Sequence, residues 1–265
     1  MNSPPWNTYK VKSHLGDNTL KVYWFKKNLI VWIILGSAAF CLTVFTSNPV
    51  SHVFYDRVFW GMSGVYWEVK VNEKEAALTF DDGPSPTFTN KILDLLKRYQ
   101  AKATFFVVGK QAERFPNLVL REYNEQHELG NHTYEHREIN GMTEDELKKD
   151  LELSHQIVFK ITGQRMRLFR PTSGNINDRL VKAARSLNYN IIIWKQDSRD
   201  WTGLNGKIIA VRILKTIQPG SIILFHDLGG NRKNTLLALE IILPELSRQG
   251  YQFVTVSELL KRAGK

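Results

Sequence analysis

A chain of 265 residues, 43% hydrophobic and 23% charged, has enough apolar side chains for one large core with one appendage, and it is not a disordered chain. Its single cysteine, Cys41, excludes an intrachain disulfide framework and a Cys-based zinc site, so any metal must be held by His and carboxylate groups. The net charge of +10 comes with no helix-turn-helix signature and no basic clusters interleaved with aromatics, which argues against nucleic acid and for a polyanionic surface such as a bacterial wall or an anionic membrane.

In chain order, residues 1–28 form a basic segment with Lys10, Lys12, Lys21, Lys26 and Lys27. From Leu29 to Phe45 the run LIVWIILGSAAFCLTVF carries no charge, and at the helical rise it covers roughly 26 Å, close to the hydrocarbon thickness of a bilayer. A buried core helix of that length would show a polar stripe, so residues 29–46 read as a transmembrane anchor. Lysines before the span and the uncharged SNPVS after it place the N-terminus inside and the rest outside. The expected location is the cell membrane, single-pass, with the following domain extracellular. Cleavage near Thr46 and Ser47 is the competing reading, and the long pre-span segment disfavours it. Residues 47–74 read as a stalk, with Trp60, Tyr66 and Trp67 on the membrane interface or the domain surface.

From Glu75 to the end, residues 75–265, strand-like and helix-like runs alternate. Strands are expected at 76–81, 103–109, 127–133, 167–172, 190–197, 221–227 and 252–257, and helical patterns at 88–100 and 143–162, the latter opening on a Thr143 to Glu146 capping box. Apolar strands each followed by a crossover helix predict an α/β fold, a closed or nearly closed (β/α) barrel of about seven parallel strands.

Polar groups fall at the C-terminal ends of these runs, where barrel enzymes build their sites. They are Asp81 and Asp82 in TFDDGP, His132 and His136 in HTYEH, Arg170 in FRPTSG, Asp200 and Trp201 in DSRDW, and His226 in LFHD. Alone, Asp-Gly is a hairpin signal, but the segment after it reads as a helix and not as a returning strand. His132 and His136, four residues apart, would share one face of a helical turn and one cation. With a carboxylate oxygen from Asp82 they make the three-ligand complement of a catalytic zinc that keeps a position open for water. Adjacent strand residues point to opposite sides, so the two aspartates are unlike the facing carboxylates of a glycosidase. One can bind metal while the other takes a proton from the metal-acidified water. Arg170 could orient an aspartate through a bidentate pair, and a carboxylate such as Asp200 could raise the pKa of His226 and keep it a proton donor. Together these are the parts for metal-assisted hydrolysis of an acyl bond.

Over residues 75–260 the chain resembles the polysaccharide deacetylase family, the carbohydrate esterase family 4 enzymes that share the NodB homology domain, and it meets the family motifs in order. The resemblance implies a distorted parallel barrel and hydrolysis of the N-acetyl group of an N-acetylated glycan. It implies Asp81 as catalytic base, and Asp82, His132 and His136 as ligands of a metal, usually zinc, with cobalt or nickel accepted in some members. It further implies that Arg170 positions Asp81, that Asp200 tunes His226 as general acid, and that Trp201 and Leu224 line the groove beside the acetyl group. The commoner third motif is Arg-Pro-Pro-Tyr-Gly, whereas this chain has Thr172 and Ser173. The backbone N–H that the tyrosine offers an oxyanion is still present at Ser173, while the groove wall is changed. Cell-wall peptidoglycan is the expected substrate. Chitin oligosaccharides, an exported polysaccharide, a small N-acetylated molecule, or a wall-binding protein that has lost the chemistry are the rivals.

Overall fold

The computed structural model of the chain describes residues 64–264. The basic segment 1–28, the anchor 29–46 and most of the stalk therefore lie outside the described residues, and among those described no helix is long and apolar enough to cross a membrane.

Among the described residues, nine strands form one sheet: β1 (Val65–Tyr66), β2 (Glu75–Asp81), β3 (Ala103–Val107), β4 (Glu128–Asn131), β5 (Leu168–Phe169), β6 (Asn190–Ile192), β7 (Gln196–Asp197), β8 (Ser221–His226) and β9 (Gln252–Phe253). Their order is β1-β6-β5-β4-β3-β2-β8-β7, with β9 paired to the start of β2, and the ladders between these strands are parallel. The sheet curls into a half-barrel covered by helices. The sequence patterning anticipated this class with fewer strands, for two reasons. First, β1 lies in the segment read as stalk; two residues are too few for a periodic signal, but Ile191 and Ile193 donate their N–H groups to Gly64 and Tyr66 and tie it to the edge. Second, the run 190–197 is two strands. Its first part joins β1 and β5 at one side of the sheet and its second part joins β8 at the other, so Ile193–Lys195 crosses the open seam of the barrel.

β2 is the central strand, buried along its whole length between β3 and β8. Alternation divides its residues. Leu78 and Phe80 face the helices, where Phe80 stacks between Phe105 and Phe225 at ring-centre distances of 5.0 and 5.9 Å. Each such ring contributes about 1.5–3 kcal/mol by leaving water. Ala77, Thr79 and Asp81 face the barrel interior, where Ala77 joins Phe106, Leu168, Ile192 and Ile222. The helix Val256–Arg262 closes the end opposite Asp81: Leu259 and Leu260 enter that inner cluster, and Arg262 Nη1 lies 2.8 Å from Glu75 Oε1.

The expected helices form over Thr89–Arg98 and Glu144–Thr162. In the second, Thr143 Oγ1 accepts from the Glu146 N–H (3.3 Å) while the Thr143 N–H donates to Glu146 Oε2 (2.7 Å), the capping box read from the sequence, and Gly163 at φ 70° ends it.

Candidate active site

Asp81 ends β2 facing the barrel interior, and its partner is delivered from β5. The Arg170 guanidinium is completely buried and donates from Nη1 to Asp81 Oδ1 (2.7 Å) and to Thr79 Oγ1 (2.7 Å). Nε and Nη2 donate to the carbonyls of Ile192 and Ile193, each at 3.0 Å. The guanidinium also lies 4.1 Å from the centre of the Phe106 ring. Burial lowers its pKa and the adjacent Asp81 charge offsets part of that. One oxygen of Asp81 is thereby committed, leaving Oδ2 toward the neighbouring imidazole, 3.8 Å from His132 Nε2.

The expectation that Asp81 and Asp82 point to opposite sides does not hold at this strand end. β2 stops at Asp81, and Asp82 takes a left-handed conformation (φ 78°), so both carboxylates border one cavity. Gly83 follows because the chain then passes over the buried Asp227: a Cβ there would sit 2.2 Å from Asp227 Oδ1.

The two histidines share no helical turn either. HTYEH is a loop after β4, with Thr133 and His136 both left-handed (φ 68° and 57°) and the His136 N–H donating to Thr133 Oγ1 (3.0 Å). Asn131 braces it from behind, accepting from the Thr133 N–H (2.9 Å) and donating to the Leu151 carbonyl (2.8 Å) and Tyr189 hydroxyl (2.9 Å). The rings nevertheless converge, 5.0 Å apart. His132 Nδ1 lies 2.7 Å from the Arg170 carbonyl, which can only accept, so Nδ1 carries a proton and Nε2 is the ring atom turned toward the two aspartates. His132 Nε2 and His136 Nε2 lie 3.6 and 3.1 Å from Asp82 Oδ1. Burial pushes the Asp82 carboxyl up in pKa, but hydrogen bonds from the two imidazoles outweigh it and hold the group well below the usual carboxylate range.

These three residues offer one donor atom each, all within 4.8 Å of one another. Donors about 2.0–2.2 Å from a tetrahedral ion are separated by about 3.3–3.6 Å, so two nitrogens and one carboxylate oxygen at these spacings fit a first-row divalent metal.

Across the cavity, His226 ends β8 in register with Asp81. Its Nδ1–H donates to Asp200 Oδ1 (2.7 Å) and its backbone N–H to Asp200 Oδ2 (2.9 Å), which also accepts from Thr235 Oγ1 (2.8 Å). Burial lowers the His226 pKa, but the Asp200 hydrogen bond and charge outweigh it and the net shift is upward; burial raises Asp200 and its hydrogen bonds to His226 bring it down.

The cavity so enclosed has a volume of about 390 Å3. Of the residues singled out in the sequence, Asp81, Asp82, His132, His136, Ser173, Trp201, Leu224 and His226 line it, while Arg170 and Asp200 stand behind it. Trp201 is 58% exposed at the rim and Leu224 is buried in the wall. The sequence reading missed two lining residues, Trp194 and Asp197. The available signal was their position in the IIIWKQD run at the seam of the barrel. Trp194 also explains Gly174, where a Cβ would meet the indole at 2.6 Å.

A family model described as "Polysaccharide deacetylase" matches residues 68–192. Over 199 residues the chain is 45% identical to a peptidoglycan-N-acetylglucosamine deacetylase of Bacillus cereus, an alignment covering 74% of this chain and 93% of that one. The chain belongs to the polysaccharide deacetylase family. Among solved structures it is similar to a peptidoglycan N-acetylglucosamine deacetylase in complex with 4-naphthalen-1-yl-N-oxidanyl-benzamide, with TM-score 0.74 and 37% identity over 76% of this chain and 95% of that one. It is also similar to a family 4 acetyl xylan esterase from Clostridium thermocellum in complex with a cobalt ion, with TM-score 0.66 and 32% identity over 71% of this chain and 91% of that one. As a polysaccharide deacetylase the chain is a hydrolase acting on amide bonds, and its family depends on a metal.

Proposed function

We propose that this polysaccharide deacetylase removes the acetyl group from N-acetylglucosamine units of peptidoglycan outside the cell, using a divalent ion held by Asp82, His132 and His136. Zinc is the first candidate, with cobalt and nickel as substitutes. The observation that carries the reading is one cavity that joins the three donors, Asp81 and His226. The names of the B. cereus relative and of the structure at TM-score 0.74 support the sugar and the polymer. The uncharged run 29–45 behind a lysine-rich segment supports a single-pass anchor with the deacetylase outside.

When bound, the ion acidifies a water toward about pH 7 and polarises the acetyl carbonyl. The protein supplies the rest. Asp81, fixed through Oδ1 by Arg170, takes the proton of the attacking water on Oδ2. The Ser173 N–H donates to the carbonyl oxygen as it gains charge. Leu224 receives the acetyl methyl, and Trp201 offers the rim a flat face for a sugar ring. His226, whose Nδ1–H is held by Asp200, delivers a proton from Nε2 to the departing nitrogen, and the C–N bond breaks to give acetate and a free amine.

The test is incubation of the full-length protein with isolated peptidoglycan, followed by acetate assay and mass spectrometry of the wall fragments. Acetyl loss from glucosamine is expected; loss confined to muramic acid, or release only from free sugars, refutes the assignment. Asp81→Asn should keep its metal by elemental analysis and lose turnover by about 10²–10⁴-fold, the usual worth of a general base. An unchanged rate removes Asp81 from that role.

The raised pKa of His226 predicts a pH profile. The proton donor stays charged above the ordinary imidazole pKa of about 6.5, and kcat falls as pH rises through the raised value. Asp200→Asn should bring that falling limb to lower pH. The stability sign agrees: the His226 contribution is complete below about 6.5 and is lost as pH rises through the folded value. An alkaline limb unmoved in Asp200→Asn contradicts the pairing.

A further inference from the structure

The loop that follows β5 presents Ser173 to the cavity in a conformation its side chain does not favour. Ser173 has φ 58° and ψ 8°, left-handed for a non-glycine residue, and it lines the same cavity as Asp81 and the three metal-binding candidates. Two turn bonds hold the loop, from the Gly174 N–H to the Pro171 carbonyl (3.1 Å) and from the Asn175 N–H to the Thr172 carbonyl (3.4 Å). Neither uses the Ser173 N–H. A strained residue persists only where its surroundings over-determine it.

Two side-chain bonds supply that constraint, and both reach the segment just after His136. Thr172 Oγ1 donates to the Arg137 carbonyl (2.9 Å), and Ser173 Oγ donates to Glu138 Oε1 (2.8 Å). Glu138 has a fixed base, because the next residue, Ile139, is buried in the core. The loop after β4 that carries His136 and the loop after β5 that carries the Ser173 N–H are thus joined by two hydrogen bonds. A proline and a tyrosine at 172 and 173 could form neither bond, since one lacks a hydroxyl and the other holds it at the far edge of a ring.

We infer that Glu138 is a positioning residue for the reaction: through the Ser173 hydroxyl it holds the strained Ser173 peptide so that its N–H meets the carbonyl oxygen as charge develops. Glu138 itself touches neither substrate nor metal in this role. The inference rests on the deacetylation reading of the cavity. It differs from that reading in assigning a hydrogen bond specific to this chain's Thr-Ser variant of the loop.

The experiment compares full-length wild type with Glu138→Ala, Glu138→Gln, Ser173→Ala and the double variant Glu138→Ala/Ser173→Ala. Glu138→Ala should lower kcat about tenfold with KM little changed, short of the roughly 100- to 1,000-fold loss that deleting an oxyanion donor outright produces. Glu138→Gln should recover most of the rate, because an amide oxygen accepts the same hydroxyl. The double variant should be no worse than either single one, since both remove the same bond. Metal content should be unchanged throughout, and hydrogen exchange of segment 171–175 should quicken in Glu138→Ala and return toward wild type in Glu138→Gln. A glutamine variant as slow as the alanine one, additive losses, a change in KM alone, or unaltered exchange at 171–175 overturns the proposal. Failure of the deacetylation reading is distinguishable, because it would show as no acetate release by the unmodified protein.

Discussion

Asp82→Ala is expected to abolish both metal retention and turnover, the largest functional effect of any single change in this chain. Asp82 supplies the only carboxylate of the three-donor set, and Asp82 Oδ1 lies near both imidazoles, 3.6 Å from His132 Nε2 and 3.1 Å from His136 Nε2. Losing a group that merely supports a ligand already costs about 10–100-fold in metal affinity, so losing the anionic ligand itself should cost more. Thermal unfolding gives a readout separate from catalysis. A ligand at 100 times its Kd stabilises the folded state by about 2.7 kcal/mol, so a chelator should lower the wild-type Tm and leave Asp82→Ala unmoved. Elemental analysis of dialysed protein completes the test. A variant with wild-type metal content, or one whose Tm still falls on chelation, would show that the ion sits elsewhere.

The sequence disclosed the chemistry of this site better than its shape. TFDDGP, HTYEH, FRPTSG, DSRDW and LFHD each end or follow an apolar run, and a parallel sheet carries such ends to one rim, so convergence could be anticipated from order alone. The conformations that achieve it are invisible to spacing. His132 and His136 meet because Thr133 and His136 are left-handed and Asn131 braces the loop, not because four residues make a helical turn. Asp82 joins Asp81 on one cavity because the strand stops between them. The two-residue β1 is defined by its partner in the sheet, so no window of sequence could reveal it, whereas β5 and β9 form inside the runs 167–172 and 252–257 expected as strands, each only two residues long. Trp194 and Asp197 were missed for the same reason as β1: they enter the cavity where the run 190–197 crosses the barrel seam, a consequence of closure.

Arg170→Met should be the most destabilising single substitution at the site, and its cause is legible atom by atom. The guanidinium is fully buried, faces Asp81, and satisfies Thr79 and the carbonyls of Ile192 and Ile193 while lying 4.1 Å from the centre of the Phe106 ring. Methionine fills comparable volume but donates nothing, leaving the buried Asp81 carboxylate unpaired. Breaking a buried pair from one side costs about 3–5 kcal/mol, against a total of about 5–15 kcal/mol for a domain. Arg170→Lys should fall between, since one ammonium cannot reach two carbonyls and a carboxylate from a single plane. The decisive variant is Arg170→Met/Asp81→Asn, which removes both charges and should be more stable than Arg170→Met alone. Chemical denaturation of the purified proteins measures all three, and a single-variant loss below about 1 kcal/mol, the scale of one ordinary hydrogen bond, would mean that the buried ion pair does not hold the two strands in place.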